Sequence, residues 1–352
     1  LLGSTNPDDY PVMKHRHEGK DKVCYASLIN TRDTSERYEN IMILGHGEIN
    51  GNGAKLVVNE IKNEEVKRGG VICIRDTDYL YLKDIVVREP FWCVHPIFCR
   101  YVSINNISVY TKCDEKGDLY KNIFNGDGLD LDSCKTAFVF HSFFFTQDDC
   151  VAVKSGMNED GRKYAICSEN IRITNCRCKA GFGVAMGSDM SGGVRDVLVQ
   201  DCHFEDSFSI ASVKTPRGRG AYIENIMYDR CTLINNDHGH KKNKWFKGAL
   251  HLDNYYGRDV ADHETLHEIS ADTPVIRNIT FQNISIDTVE GNAVYLAGLP
   301  ESNASQITLR NVEATGKEGL FAVNGLTMEN VSVKALEGDD MKYCKVKGLQ
   351  IN

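Results

Sequence analysis

The residues best suited to chemistry are carboxylates in two short strings. The first string, residues 125–132, contains three aspartates, and the second places Asp148 and Asp149 side by side, 21 and 22 positions after Asp127. Carboxylates held close together cannot all ionise cheaply, so at least one pKa should rise. A protonated acid beside a carboxylate base is what acid–base hydrolysis of a glycosidic bond requires.

Two other interpretations of the aspartate strings stay open. Clustered carboxylates also suit Ca²⁺, which prefers several oxygen ligands. Aspartates also stabilise turns through bonds to nearby backbone groups. We favour catalysis over both, because the two strings would have to meet in space in any repeating fold of that period.

A short pattern recurs along the chain: apolar, any, apolar, any, then usually Asn or Asp. Copies run over residues 80–84, 102–106, 171–175, 197–201, 279–283, 307–311 and 326–330, with looser copies from Ile41, Phe138 and Ile226. Period-two alternation indicates strands, and the polar residue that follows suits a turn. Strands and turns repeated every few tens of residues indicate a solenoid.

We therefore predict an all-β parallel β-helix that forms a single domain over residues 1–352. A leucine-rich repeat would need a tighter leucine consensus, and a β-sandwich would need hairpin turns every 8 to 12 residues. Adjacent coils lie about 4.8 Å apart, so one coil would place Asp127 beside Asp148 and Asp149. The long segments 45–70, 110–130, 153–166 and 232–275 are expected to form flanking loops that wall a groove.

Composition excludes some partners. The formal charge of -8 opposes nucleic-acid binding, and no apolar run approaches the ~20 residues of a membrane span. The 13 cysteines form no disulfide-scaffold pattern, so we expect a reducing, cytoplasmic location, with a secreted or periplasmic one as the alternative. A monomer is expected. No signal peptide is visible, but the start at Leu1 without a methionine looks trimmed.

Several strings resemble glycoside hydrolase family 28, the polygalacturonase-like pectin hydrolases. They are residues 125–130, 147–150, 155–156 and 187–194, and residues 2–7 resemble bacterial members in particular. The resemblance implies a right-handed β-helix and an inverting hydrolysis that needs no metal or cofactor. It also implies that Asp148 is the general acid, while Asp127 and Asp149 activate the attacking water.

Two positions depart from the family pattern. Phe182 stands where the family has a histidine, and Ser212 replaces the arginine of Arg-x-Lys, although Lys214 is kept. The implied substrate is α-linked galacturonic acid in pectin, cleaved by a polygalacturonase or exo-galacturonosidase. The departures motivate one alternative, a hydrolase of rhamnogalacturonan or another substituted pectin. The alternative from another class is a non-catalytic β-helix that binds carbohydrate.

The expected ligand is an acidic plant polysaccharide or oligosaccharide. Residues 214–220 form a cationic window on an acidic chain, which favours an anionic ligand. Tyrosines can stack on the apolar faces of sugar rings. The expected substrate contacts are Gln147, Phe182, Lys214, Arg217, Arg219, Tyr255 and Tyr256. Trp92 and His95 are candidates for the far end of the groove.

Overall fold

Parallel strands stacked coil upon coil make up most of the molecule. The structure is a computed structural model that describes residues 1–32, 36–57, 66–89, 91–121, 123–237 and 244–352. The chain begins with a 3-10 helix (Pro7–Asp9) and an antiparallel hairpin of β1 (Val12–His17) and β2 (Lys20–Tyr25). The hairpin pairs with neither of the two large sheets.

The first large sheet, called the cleft sheet below, has 11 strands. They are β3 (Ile29–Asn30), β6 (Ile72–Arg75), β9 (Val94–Ile97), β12 (Leu129–Asp132), β15 (Val151–Lys154), β18 (Val184–Gly187), β21 (Ala211–Lys214), β23 (Gly248–Asp253), β25 (Asn292–Ala297), β27 (Gly319–Ala322) and β29 (Lys342–Tyr343).

The other parallel sheet has 17 described strands and, as the larger of the two, is called the large sheet below. They are β4 (Tyr38–Leu44), β5 (Glu48–Asn50), β7 (Thr77–Lys83), β8 (Val86–Arg88), β10 (Arg100–Asn105), β11 (Ser108–Tyr110), β13 (Lys135–Phe140), β14 (Phe143–Thr146), β16 (Ser168–Thr174), β17 (Arg177–Ala180), β19 (Val194–Gln200), β20 (His203–Glu205), β22 (Tyr222–Asn235), β24 (Val275–Thr288), β26 (Ser305–Gly316), β28 (Asn324–Ala335) and β30 (Gln350–Ile351). One helix, α1 (Asn158–Tyr164), follows β15.

Each coil adds one strand to the cleft sheet and then one or two to the large sheet, which is the right-handed parallel β-helix that the sequence predicts. The repeated pattern lies in register: Leu80 pairs with Val102, Ile171 with Val197, and Ile307 with Leu326. These apolar side chains are buried in one continuous core. The single-domain assignment of residues 1–352 stays a prediction.

The polar residue that ends each copy forms a left-handed corner, as predicted. Asn283, Asn311 and Asn330 have φ of 55°, 52° and 52°, a region that asparagine tolerates better than most residues. Their side chains are hydrogen-bonded from coil to coil, at 2.9 and 3.1 Å. The corners therefore form a ladder along the solenoid.

The longest predicted loop is not one loop. Ile226 pairs directly with Ile279, so the 53 positions between them form a single coil. Strand β23 lies inside the segment 232–275, so a strand of the cleft sheet interrupts the predicted loop. No described helix has the length and apolar character needed to cross a bilayer.

Candidate active site

Adjacent strands of the cleft sheet bring the predicted aspartates together. In β12 and β15, Leu129 pairs with Val151, which confirms a coil of about 22 residues. The Gly128 N–H donates to the Asp149 carbonyl at 2.9 Å, and the Asp148 N–H donates to the Gly126 carbonyl at 3.1 Å. Asp127 therefore lies beside Asp148 and Asp149, at the entry to these two strands.

The three aspartates face a cleft that encloses about 530 Å³. Its other lining residues include acids, cations and a group of aromatic side chains. They are Glu18, Trp92, Phe124, Asn125, Gln147, Lys154, Met157, Phe182, Ser188, Asp189, Lys214, Arg219, Trp245, Phe246 and Tyr256.

Two buried lysines neutralise two of the three aspartates. Lys214 Nζ lies 2.9 and 2.7 Å from the carboxylate oxygens of Asp149, and Lys154 Nζ lies 3.2 Å from Asp127 Oδ2. Burial opposes the charge on Lys154, but the carboxylates of Asp127 and Asp130 raise its pKa well above the usual value. Both ammonium groups therefore stay charged and favour ionised partners.

Asp148 has a different electrostatic environment from Asp127 and Asp149. Among the described residues, no Lys, Arg or His side chain forms an ion pair with it, whereas Asp127 and Asp149 each have one. Burial, followed by the charges of Asp127 and Asp149, raises the pKa of Asp148 to about 8. Its carboxyl group therefore holds a proton at neutral pH while its neighbours have cations to keep them ionised.

Asp130 belongs to the same cluster, and its Oδ1 lies 3.4 Å from Lys154 Nζ. Burial and the charge of Asp127 raise the pKa of Asp130 well above the usual value. The Lys154 ammonium group thus lies within 3.4 Å of two carboxyl groups, those of Asp127 and Asp130. The described residues contain no group of three or more His, Cys, Asp or Glu side chains arranged to hold a metal ion, and two lysines occupy the space beside these aspartates.

Five of the seven expected substrate contacts line the cleft: Gln147, Phe182, Lys214, Arg219 and Tyr256. Gln147 Oε1 accepts a hydrogen bond from the Gly126 N–H at 3.1 Å and so tightens the loop that carries Asp127. Arg219 donates to the Ser188 carbonyl at 2.9 Å and to Asn158 Oδ1 at 2.6 Å. Its guanidinium is thus held at the cleft wall.

Two expected contacts do not reach the cleft. Arg217 forms two hydrogen bonds with Glu301, at 2.6 and 2.8 Å, which hold its guanidinium on the loop side. Tyr255 is 1% exposed and packs in a small core cluster with Leu299. Both tyrosines lie in the turn after β23, and Tyr256 lines the cleft whereas Tyr255 packs into this cluster. His95 is also buried, 3.6 Å from Asp132, whereas Trp92 lines the cleft.

The two departures from the family pattern have different surroundings: Phe182 forms an aromatic wall of the cleft, and Ser212 bonds to a buried histidine. The Phe182 ring stacks on Phe246, with centroids 3.4 Å apart and planes at 7°. Ser212 Oγ lies 3.0 Å from His251 Nδ1, both fully buried. Phe246 also lies over the Lys214 ammonium, 4.5 Å from Nζ to the ring centroid. A cation on an aromatic face is stabilised by the ring quadrupole.

Sequence reasoning missed Lys154, Trp245 and Phe246 as parts of the site. A signal for Lys154 was present, because the 22-residue coil places it beside Asp132, on the outward side of β15. Trp245 and Phe246 lie in a loop, where no strand register could have placed them.

The hairpin of β1 and β2 closes one end of the cleft. Arg16 Nη1 lies 2.9 Å from Asp132 Oδ1, and both side chains are buried. At the hairpin turn, the Gly19 carbonyl accepts a hydrogen bond from the Met157 N–H at 2.8 Å, and Glu18 reaches the cleft. The cleft therefore stops at the coil that precedes the aspartates.

A second cavity of about 640 Å³ lies beyond Phe246, over the following coils. Phe246 borders both cavities, and the lining of the second contains cations (Lys247, Lys317 and Lys342) as well as acids (Asp259, Glu290 and Glu318). The described residues therefore leave space next to the cleft on the side of the C-terminal coils.

Comparison with known families agrees with this arrangement. The sequence model of glycosyl hydrolases family 28 matches residues 25–336. A probable polygalacturonase from Vitis vinifera is 28% identical over 326 residues, which cover 89% of this chain and 60% of that protein. An exo-poly-alpha-D-galacturonosidase from Dickeya chrysanthemi is 26% identical over 248 residues, 57% of this chain and 39% of that protein. The chain thus spans 60% or less of the length of these two relatives.

Solved structures share the fold. A hyperthermoactive exopolygalacturonase from Thermotoga maritima superposes with a TM-score of 0.71 at 21% identity, covering 100% of this chain and 78% of that one. An endo-xylogalacturonan hydrolase from Aspergillus tubingensis superposes with a TM-score of 0.59 at 15% identity, covering 97% of this chain and 78% of that one.

Proposed function

The chain belongs to glycosyl hydrolases family 28, and on that premise we propose that it hydrolyses α-linked galacturonic acid in pectin with inversion at the anomeric carbon. Asp148 is the general acid, and Asp127 and Asp149 together are the base. The names of the matched relatives, polygalacturonase and exo-poly-alpha-D-galacturonosidase, support this substrate over rhamnogalacturonan.

The chemistry divides between the carboxyl groups according to their protonation. Asp148 donates its proton to the glycosidic oxygen as the bond from that oxygen to the anomeric carbon breaks. A water molecule held by the ionised Asp127 and Asp149 attacks the anomeric carbon from the opposite face and gives up a proton to them. Proton exchange with solvent then restores the acid and the base.

One observation carries the proposal: among the described residues, Asp127 and Asp149 each form an ion pair with a buried lysine, and Asp148 forms none. A carbohydrate-binding surface has no use for this arrangement, because it favours the protonated form of one carboxyl group beside two that have cationic partners. Hydrolysis by inversion needs that difference in protonation. The arrangement therefore argues against the non-catalytic alternative.

The closed end of the cleft supports action at a chain end. Among the described residues, the hairpin borders the cleft at Glu18, while the cavity beyond Phe246 leaves room for the rest of a bound chain. A polymer bound across the aspartates would therefore have to place its end against the hairpin. We include this exo mode in the proposed function.

The test is hydrolysis of polygalacturonate, with rhamnogalacturonan and neutral galactan in parallel. We expect reducing ends to appear from polygalacturonate, with products of one small size from the earliest times and a slow fall in viscosity. Proton NMR of the first turnovers should show the β-anomer. A ladder of oligomers with rapid loss of viscosity would refute the exo mode, and activity on none of the polymers would refute the hydrolase.

A further inference from the structure

One corner of the solenoid has an unusual pair of residues. The residue before the repeated apolar pattern has a positive φ in nine successive coils. These residues are Asn40, Tyr79, Tyr101, Thr136, Asn170, Asp196, Asn225, Asn278 and Gln306. All are polar, and seven of the nine are Asn, Asp, Thr or Gln residues that can form side-chain hydrogen bonds from coil to coil, as Asn278 does to Asn225 at 2.8 Å. Only two coils place a tyrosine at this corner.

Tyr79 and Tyr101 adopt φ of 62° and 59°, a left-handed conformation that a bulky side chain rarely accepts. Burial does not compensate, because Tyr79 is 42% exposed and Tyr101 is 48% exposed. Their rings are stacked, with centroids 4.9 Å apart and planes at 14°. Backbone strain without a gain in packing points to a function.

Positive charge lies beside the pair. Arg37 and Arg100 both bond to Asp78, so one carboxylate serves two guanidinium groups. Arg100 pairs with Asp78 in adjacent strands, and these two residues directly precede Tyr101 and Tyr79 in the chain, so the cation lies next to the stacked pair.

Arg100 also lines a groove of about 350 Å³. The groove has three further cations, Arg37, Arg75 and Lys135, against one acid, Asp76. Lys135 also pairs with Glu169 at 2.9 Å and Arg75 with Asp76 at 3.0 Å. These pairs are partly exposed, so a carboxylate ligand can share their cations.

We propose that Tyr79, Tyr101 and Arg100 form a surface binding site for an acidic oligosaccharide, separate from the catalytic cleft. The apolar face of a sugar ring would stack on the exposed tyrosines, and a carboxylate of the sugar chain would bind Arg100 at the mouth of the groove. Such a site would hold the polymer near the enzyme without taking part in bond cleavage.

The hairpin and α1 separate this surface site from the cleft. Met157, just before α1, lines the cleft, whereas Tyr164, at the end of α1, lines the groove and donates a hydrogen bond to Asp21 of the hairpin at 2.7 Å. Seven helical residues span about 10 Å. The choice of a polyuronate as ligand rests on the proposed function, but the site itself does not.

The test is affinity electrophoresis of the full chain in gels that contain polygalacturonate, with D148N as the parent protein so that the polymer persists. Replacing both tyrosines by the corner residue of other coils (Y79N with Y101N) should lower the retardation at least threefold. Because asparagine tolerates the corner conformation, the same variant should melt about 2 °C higher than the parent. A binding loss with a gain in stability cannot come from misfolding.

Y81N is the matched control, since Tyr81 lies on the same strand at 36% exposure but outside the stacked pair; its retardation should equal that of the parent. Equal retardation of the double variant and the parent would overturn the proposal, as would equal retardation by neutral galactan. Because binding is measured on a protein without turnover, the result holds whether or not the wild-type chain hydrolyses pectin.

Discussion

Two clusters of buried carboxylates lie on neighbouring coils of the cleft sheet, and their environments are opposite. In the hairpin cluster, Asp132 is fully buried, with Arg16 at 2.9 Å and His95 at 3.6 Å. In the catalytic cluster, Asp148 has two carboxylates as neighbours and, among the described residues, no cationic partner. Both aspartates lose water on folding, yet they differ in charge.

The pKa of each of these two aspartates shifts in the direction that the charges of its neighbours favour. Burial raises the pKa of Asp132, but Arg16 and His95 outweigh it, so the pKa of Asp132 is lowered and the carboxylate stays ionised. Burial and two like charges both raise the pKa of Asp148, to about 8. The comparison shows that burial alone does not keep a carboxyl group protonated in this fold, because the charges of its neighbours decide the direction of the pKa shift.

Asp148→Asn should have the largest effect on activity. Asparagine keeps the shape of the side chain but has no acidic proton, so kcat on polygalacturonate should fall roughly a thousandfold or more. The far-ultraviolet circular dichroism spectrum should be unchanged. The control is D196N, at an exposed corner where asparagine is the usual residue; it should keep full activity. Retained activity in D148N would remove Asp148 from the mechanism.

Lys214→Met should have the next largest effect. Without the ammonium group, Asp149 becomes a buried carboxylate with no partner, and its pKa, already raised by burial, should rise further. We expect kcat/KM to fall about tenfold to a hundredfold at pH 5 and to recover partly as the pH rises, which moves the acidic limb of the pH–rate profile upward.

The matched control for Lys214 is K179M. Lys179 forms an ion pair with Glu205 at 2.6 Å, but both side chains are exposed to solvent. Its pH–rate profile should be that of the wild type. An unshifted profile for K214M, with only a general loss of activity, would mean that Lys214 shapes the cleft without setting the charge of Asp149.

The sequence was sufficient to predict the solenoid and the meeting of the three aspartates. Period-two alternation places Leu80 and Val102 in the core, and asparagines such as Asn311 suit the left-handed corners, so the coil length could be counted. Because the coil near the site has 22 residues, Asp127 had to lie beside Asp149.

The rest of the site depends on loops, whose paths follow from packing rather than from a repeat. Phe246 reaches the cleft because its ring stacks on Phe182, and no periodicity indicates that contact. Arg217 is a second example. The cationic window predicted it as a substrate contact, but its ion pair with Glu301 holds it away from the cleft, and no periodicity indicates that pair. The hairpin precedes the first repeat, so its place over Asp132 could not be deduced.

Arg16→Met tests the hairpin cluster and should affect stability more than chemistry. Removing one partner of a buried pair leaves an uncompensated charge, so the free energy of unfolding should fall by about 3–5 kcal/mol in a urea titration. The kcat on a short galacturonide should stay within about threefold of wild type. R310M, which breaks an exposed pair with Glu329, should change the unfolding free energy by less than about 1 kcal/mol.

The smallest effect, and the one that separates the two clusters most clearly, is the pH dependence of stability. The raised pKa of Asp148 means that its contribution to stability is present below about pH 4 and is lost as the pH rises through about 8. D148N should therefore be more stable than wild type by on the order of 1–2 kcal/mol at pH 8, after allowing for water at the cleft, and equal to it near pH 4.

Asp132 has a lowered pKa, so its contribution to stability is present above about pH 4 and lost as the pH falls. D132N should therefore be less stable than wild type at every pH from 8 to about 4, and its deficit should shrink only as the pH falls below about 4. At pH 8 the melting temperatures of the two variants should shift from that of the wild type in opposite directions, and a shift of the same sign in both would mean that their carboxyl groups share one environment.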